Sequence, residues 1–187
     1  RMGILLAFAP FIVFALLSRV TGPVEALAAG AAVSAVLILR DLASRHRSVK
    51  ILEAGTFLLF AGLAVHALLS DAAWSVIGVR LCVDAGLLLI VVTSILLGRP
   101  FTLQYAREQV PPEHQVQPGF LRVNTVISSV WALAFLVMVL AELALLTAPA
   151  MSPRLGMVVI ILALVGAVKF TAWYPTRVAR GDAAPVR

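Results

Sequence analysis

Ionisable residues inside long apolar stretches are the first places to look for chemistry in this chain. Arg80 and Asp84 are four positions apart in one such stretch, and Glu142 lies in another. Residues four apart share one face of a helix, so the guanidinium of Arg80 can pair with the carboxylate of Asp84. An unpaired charge at the centre of a membrane span costs about 2.5–3.5 kcal/mol on insertion scales, so such residues are usually paired and often functional.

We predict an intramembrane polar cluster of Arg80, Asp84 and Glu142, joined by the shallower His66 and Glu25. One interpretation is an outward-facing pocket or proton path, as in a small transporter or channel. The other is an interhelical clasp, in which Arg80 bridges Asp84 and Glu142 and fixes how the helices pack. The sequence leaves both interpretations open.

Patterns for other kinds of chemistry are not found in the sequence. The three histidines are scattered over both predicted sides of the membrane and cannot share a metal, so neither a metal nor a cofactor is predicted. Cys82 has no adjacent histidine, and Ser128 and Ser129 have no base nearby in sequence, so no catalytic residue is predicted. The sequence favours a protein that is not an enzyme. An intramembrane enzyme acting on a lipid or small molecule is the third alternative.

Long apolar segments must position these residues. Of the 187 residues, 61% are hydrophobic and 13% are charged, and the mean hydropathy is +1.03. Soluble domains average about 45–50% apolar and about 25% charged residues, so the composition excludes an ordinary soluble domain. We predict an all-α fold, a polytopic membrane helical bundle in one domain of residues 1–175. Its six predicted transmembrane helices cover about 3–20, 23–39, 51–70, 74–97, 123–147 and 155–174.

The basic residues predict the orientation of the bundle. If the spans alternate, most of the 15 lysines and arginines fall on one side, which predicts that both termini are cytoplasmic. The net charge of +6 is then mainly a topology signal with some attraction to lipid headgroups, and no nucleic-acid partner is predicted. The small and polar residues 176–187 predict a disordered cytoplasmic tail.

The cytoplasmic loop 98–122 is the longest predicted connection. Basic and aromatic side chains near its start suit a short surface helix at the headgroups, which Pro111 and Pro112 would end. Two interpretations stay open, a plain connection and a partner-docking surface. The candidate docking residues are Arg99, Pro100, Phe101, Tyr105 and Arg107.

Three short stretches resemble a known family. The opening LLAFAPFIVFALLSR has a proline inside an aromatic and aliphatic run, and Gly98-Arg99-Pro100-Phe101 directly follows the fourth span. Pro118-Gly119-Phe120 precedes a helix that contains Trp131-Ala132-Leu133-Ala134-Phe135. In these motifs, in length and in segment order the chain resembles the intracellular septation protein A family, the YciB-type inner-membrane proteins. It departs from the family pattern at Glu142, near which members tend to carry asparagine.

The resemblance implies a multi-pass protein of the bacterial inner (cytoplasmic) membrane without catalytic residues. Such a protein would support cell-envelope synthesis and division through contacts with division or cell-wall synthesis proteins in the membrane. The expected partners are therefore membrane lipids and those membrane proteins, and the sequence leaves an oligomer open.

Overall fold

The computed structural model describes residues 6–44, 49–70, 75–115, 117–148 and 152–182. Every regular element within these ranges is a helix, which confirms the predicted all-α class. Two long helices near the C-terminus have 30 residues each, whereas the first helix has nine. The helices are α1 Ala9–Leu17, α2 Pro23–Ala43, α3 Ile51–Leu69, α4 Val76–Leu96, α5 Phe101–Arg107, α6 Pro112–Gln115, α7 Pro118–Thr147 and α8 Pro153–Asp182.

Five of the described helices, namely α2, α3, α4, α7 and α8, are long and apolar enough to cross a membrane. The chain therefore has the character of a multi-pass helical membrane protein. The first predicted span, about 3–20, contains α1, whose nine residues are shorter than the roughly 20 needed to cross the hydrocarbon core. Residues 1–5 lie outside the described residues, so a sixth span stays a prediction.

Two predicted boundaries are wrong because helix formation extends past the apolar segments. Helix α7 begins at Pro118 rather than near 123, and the loop 98–122 contains α5, at the place of the predicted short helix, followed by α6. Proline suits the first turn of a helix, where its missing N–H would have no intrahelical partner. Helix α8 continues to Asp182, so the predicted disordered tail is wrong over 176–182. Alanine and arginine favour the helix there, and 183–187 lie outside the described residues.

Each long helix packs against one or two others in the bundle. Helix α2 packs on α1 and α3, α4 packs most extensively on α7, and α7 packs on α8. Two glycines allow close contact: a side-chain carbon at Gly30 would collide with the ring of Phe60, and one at Gly86 would collide with Leu59. The start of α4 meets the end of α7 through Arg80 and Glu142, so these two helices are antiparallel.

Aromatic side chains join the N-terminal segment to α7. The ring of Phe8 stacks on Trp131 with centroids 4.5 Å apart, and Phe135 lies 5.7 Å from Trp131. Phe101 of α5 belongs to the same buried cluster and is fully buried. The core at this end of the bundle is therefore built from segments that are far apart in sequence.

Candidate functional site

The structure brings three of the predicted cluster residues together, and we call Arg80, Asp84 and Glu142 the Glu142 triad. The Nε atom of Arg80 on α4 lies 3.3 Å from Oε1 of Glu142 on α7. The carboxyl of Asp84, one turn further along α4, interacts electrostatically with both partners. Glu142 is 1% exposed and Asp84 is 8% exposed, whereas the Arg80 side chain is 31% exposed.

The geometry at Glu142 leaves its carboxyl incompletely satisfied. No N–H donor among the described residues is aligned to hydrogen-bond with Oε1 or Oε2 of Glu142, and the neighbouring carboxyl of Asp84 interacts with it. The contact with Arg80 is an ion pair without hydrogen-bond alignment. Two carboxyl groups face one guanidinium, so the triad carries excess negative charge unless one carboxyl binds a proton. The arrangement can therefore link α4 to α7 and can also hold a proton.

The other two predicted members do not share this buried setting. Glu25 is exposed, and its carboxyl folds back over Gly22 at the start of its own helix. His66 is exposed near the end of α3. A carboxylate in the first turn of a helix interacts favourably with the helix dipole, which gives Glu25 a local role.

A second cluster of ionisable side chains lies at the N-terminal end of α3, opposite the end that carries His66. We call Asp41, Lys50, Glu53, Tyr105 and Glu108 the Lys50 cluster. The Lys50 amine donates a hydrogen bond to Oδ2 of Asp41 at the end of α2. It lies 3.0 Å from Oε1 of Glu108 and 3.8 Å from Oε1 of Glu53. Lys50 is 2% exposed and Asp41 is fully buried, so the cation is enclosed by acceptors.

Helix α5 completes the Lys50 cluster. The Lys50 Nζ atom lies 5.2 Å from the centre of the Tyr105 ring, a cation–π contact. The Tyr105 hydroxyl donates to Oε1 of Glu53 at 3.4 Å. The side-chain oxygen of Gln104 accepts a hydrogen bond from the backbone N–H of Ile51 at 2.7 Å. Helix α5 is therefore fastened to the start of α3 by the side chains of Gln104 and Tyr105.

Two groups of this cluster that lie outside the long apolar helices have shifted pKa values. Burial lowers the pKa of the Lys50 amine, but its hydrogen bonds to Asp41 and Glu108 and the charge of Glu53 outweigh this effect. The pKa of Lys50 therefore stands above its ordinary value of 10.5. Burial and the negative charge of Glu53 raise the pKa of the Tyr105 hydroxyl. Both groups therefore keep their protons throughout the neutral range.

Sequence reasoning missed the Lys50 cluster. Asp41 and Lys50 lie in a charged break between two apolar segments, where basic residues record topology. Their partners Tyr105 and Glu108 follow more than 50 positions later, and no local periodicity connects the two regions. The one available signal was the concentration of both charge signs at 40–53.

The burial of three candidate docking residues shows that the predicted docking surface is wrong. Pro100, Phe101 and Tyr105 are buried, with Phe101 at 0% and Tyr105 at 3% exposure, so they cannot form a docking surface. Helix α5 packs against α7 instead of lying free at the membrane surface, because its aromatic side chains reach the core next to Trp131. Only Arg99 and Arg107 of the five are exposed.

A cavity of about 600 Å³ lies between α5, α7 and α8. Its walls are mainly apolar, and several of its polar groups already have partners. Thr102 shares a hydrogen bond of 2.9 Å with Ser128, and the Trp131 indole donates to Thr171 at 3.0 Å. The cavity therefore offers a ligand mostly apolar contact.

Within the described ranges, no group of three or more histidine, cysteine, aspartate or glutamate side chains is placed to hold a metal ion. Comparison of the chain with protein-family models, with curated proteins and with solved structures gives no match. The geometry of the buried ionisable groups is therefore the main basis for assigning a function.

Proposed function

We propose that this chain is a small transporter of the bacterial inner membrane that uses the Glu142 triad to bind and release a proton. The observation that carries the proposal is the carboxyl of Glu142, which is 1% exposed, lies beside the carboxyl of Asp84 and shares the guanidinium of Arg80 with it. A buried carboxyl in this state is stabilised by protonation, and intramembrane carboxyls of this kind are typical of proton relays.

The setting of the triad supports reversible protonation. The partly exposed guanidinium of Arg80 connects the buried carboxyls to the surroundings of the bundle. The carboxyls of Asp84 and Glu142 belong to different helices, so a change in the charge they share alters the attraction between α4 and α7. Protonation is thereby coupled to helix packing, which proton-driven transport requires.

The membrane arrangement is part of the same proposal. We propose six spans with both termini in the cytoplasm, following the asymmetry of the basic residues. Reporter fusions after residues 44, 98 and 182 should report the cytoplasm, and fusions after 21, 70 and 148 should report the opposite side. A reversed pattern would contradict the orientation and would place the triad near the cytoplasm.

The direct test is proton movement in proteoliposomes that contain a pH-sensitive dye. The wild type should move protons when a pH gradient is imposed, or in exchange for a monovalent cation when a gradient of that cation is imposed. Glu142→Gln should abolish this movement. The matched control is Glu25→Gln, which removes an exposed carboxyl from the same predicted end of the bundle and should retain wild-type flux. Wild-type vesicles as tight as empty vesicles under every gradient would contradict transport.

A spectroscopic measurement tests proton binding without knowledge of the substrate. Infrared difference spectra between high and low pH should contain a band of a protonated carboxyl in an apolar setting. That band should be lost in Glu142→Gln and kept in Glu25→Gln. A spectrum without the band would leave Glu142 permanently ionised, and the triad would then be a clasp between α4 and α7.

A septation-type envelope factor is the second candidate, favoured by the resemblance and by one packing observation. The three stretches that carry the resemblance meet in one buried cluster, through Ala7, Phe101, Trp131 and Phe135. A shared motif set that packs together is what a common fold would require. The role would be support of envelope synthesis and division through contacts with membrane proteins.

Gene deletion in the host bacterium tests this second candidate. Loss of the protein should alter cell length or septum placement, and the wild-type gene should restore both. The Glu142→Gln gene should restore them equally well, since contacts with partners do not need proton binding. Normal division in the deletion strain would contradict the envelope role, and failure of Glu142→Gln to restore division would favour transport.

A further inference from the structure

A polar pocket of about 650 Å³ lies between the end of α4 and the start of α7. Gly98, with a φ of +66°, ends α4 in the left-handed conformation that glycine adopts readily, so the chain turns sharply before Arg99. The pocket lining has two guanidinium groups, three carboxamides and no carboxylate. Its polar residues are Arg99, Gln104, Arg107, Gln115 and Gln117.

The positive charge of the pocket is not neutralised by ion pairs with the described residues. Arg99 and Arg107 are exposed, and neither forms an ion pair with another of the described residues. The acid next to Arg107 in sequence, Glu108, is directed to Lys50 at 3.0 Å. Lys50 therefore pairs with the carboxylate that follows Arg107 in sequence, and two cations are left for an outside anion.

The walls of the pocket are held in place by hydrogen bonds. The Gln115 side chain donates to the backbone carbonyls of Arg107 at 3.0 Å and Val110 at 2.7 Å. Gln104 is tied to the start of α3, and Pro100 is buried beneath the pocket. Binding an anion here would cost little ordering of the backbone, since the segment is already fixed.

Apolar side chains border the same pocket. Leu121 lines it and is 46% exposed, and Leu96 and Leu97, directly before Gly98, are 81% and 67% exposed. Exposed leucines beside cationic groups at the end of apolar helices match the boundary between acyl chains and headgroups. A soluble anion would use only the cationic part of this surface.

We propose that this pocket binds the phosphate group of an anionic membrane lipid, with Arg99 and Arg107 on the phosphate oxygens and Leu121 beside the acyl chains. Guanidinium groups suit phosphate because they donate two parallel hydrogen bonds. The leucine border favours a lipid over free phosphate as the source of the anion. The proposal stands independently of proton transport, because none of the pocket residues belongs to the Glu142 triad.

The experiment measures binding of short-chain phosphatidylglycerol to the purified full-length protein by native mass spectrometry. Phosphatidylcholine of the same chain length and glycerol phosphate are the two comparison ligands. Phosphatidylglycerol should bind more tightly than either. Arg99→Gln and Arg107→Gln should each weaken its binding about fivefold. Arg122→Gln, which removes an exposed arginine outside the pocket lining, should change it by less than about twofold.

A second variant separates the lipid from a free anion. Leu121→Ala keeps both guanidinium groups, so it should weaken phosphatidylglycerol binding and leave glycerol phosphate binding unchanged. Equal losses for Arg122→Gln and the pocket variants would overturn the site in favour of diffuse surface charge. Glycerol phosphate binding as tightly as the lipid, or an unaffected Leu121→Ala, would overturn the lipid as the occupant. Melting temperatures of all variants verify that each is folded.

Discussion

The Lys50 cluster and the Glu142 triad both bury carboxyl groups, but they differ in whether the paired cation is buried. In the Lys50 cluster the cation is 2% exposed, and the side chain of its partner Glu108 is 28% exposed. In the triad the anion Glu142 is 1% exposed, and the Arg80 side chain is 31% exposed. The Lys50 cluster therefore buries a cation together with the carboxylates of Asp41 and Glu53, whereas the triad buries carboxyl groups beside a partly exposed cation.

This difference in the burial of the cation separates a structural role from a proton-binding role. The lysine amine has three donors, and carboxylates lie on several sides of it, so its proton is retained and its neighbours are locked in place. The Glu142 carboxyl can lower its electrostatic cost by taking a proton, because its cation Arg80 is partly exposed, whereas the carboxylates of the Lys50 cluster surround a buried cation. We therefore expect the Lys50 cluster to govern stability and the triad to govern function.

The largest effect should come from removal of the enclosed cation. Lys50→Met leaves the carboxylates of Asp41, Glu53 and Glu108 without their shared partner, and it should lower the free energy of unfolding by about 3–5 kcal/mol. Unfolding in mixed micelles of increasing denaturing detergent measures this change. Lys169→Met, at an exposed lysine of α8, is the matched control and should stay within about 0.5 kcal/mol of the wild type. Equal stability of both variants would remove the distinction between the two regions.

A smaller effect is expected from removal of the cation of the triad. Arg80→Met should cost about 1–3 kcal/mol, because Asp84 and Glu142 can relieve their repulsion by binding protons. Adding Glu142→Gln to Arg80→Met should recover part of this loss, which a double-mutant cycle measures as coupling of about 1 kcal/mol. If Arg80→Met proves as damaging as Lys50→Met, the triad is a clasp of the same kind as the Lys50 cluster.

The smallest effect is a pH dependence confined to the alkaline range. The pKa values of Lys50 and Tyr105 are raised in the folded state, so the unfolded chain loses these protons first as the pH rises. The contribution of these two groups to stability should therefore be constant below about pH 10 and fall above it, by at most about 1.4 kcal/mol per pH unit for each proton. Melting curves between pH 8 and about pH 11 test this, and Lys50→Met should fall less steeply than the wild type.

The sequence was sufficient for the helical class and for placing Arg80 beside Asp84, since both follow from local patterns. Arg80 and Asp84 share a helical face by their spacing, and uninterrupted apolar runs predict long helices. The contact between Arg80 and Glu142 was one of several possible pairings, because it depends on how α4 meets α7.

Other features depend on contacts between distant segments and were not predictable in this way. Helix α5 carries the aromatic and basic residues of a surface helix, yet Phe101 and Tyr105 are buried because α7 and the start of α3 supply a surface for them. The start of α7 at Pro118 and the continuation of α8 past Pro175 depend on helix propagation through polar sequence, which hydropathy does not detect.

The length of α8 has a geometric consequence for the C-terminal end of the chain. Thirty residues at about 1.5 Å each make a rod of roughly 45 Å, whereas the hydrocarbon layer is about 30 Å thick. For a helix along the bilayer normal, roughly ten residues stand outside the hydrocarbon, and we expect Arg177, whose guanidinium lies 5.7 Å from the centre of the Trp173 ring, to belong to this part. The length of α8 therefore determines how far its C-terminal end extends from the hydrocarbon, and a fluorophore attached beyond Arg177 would report that distance.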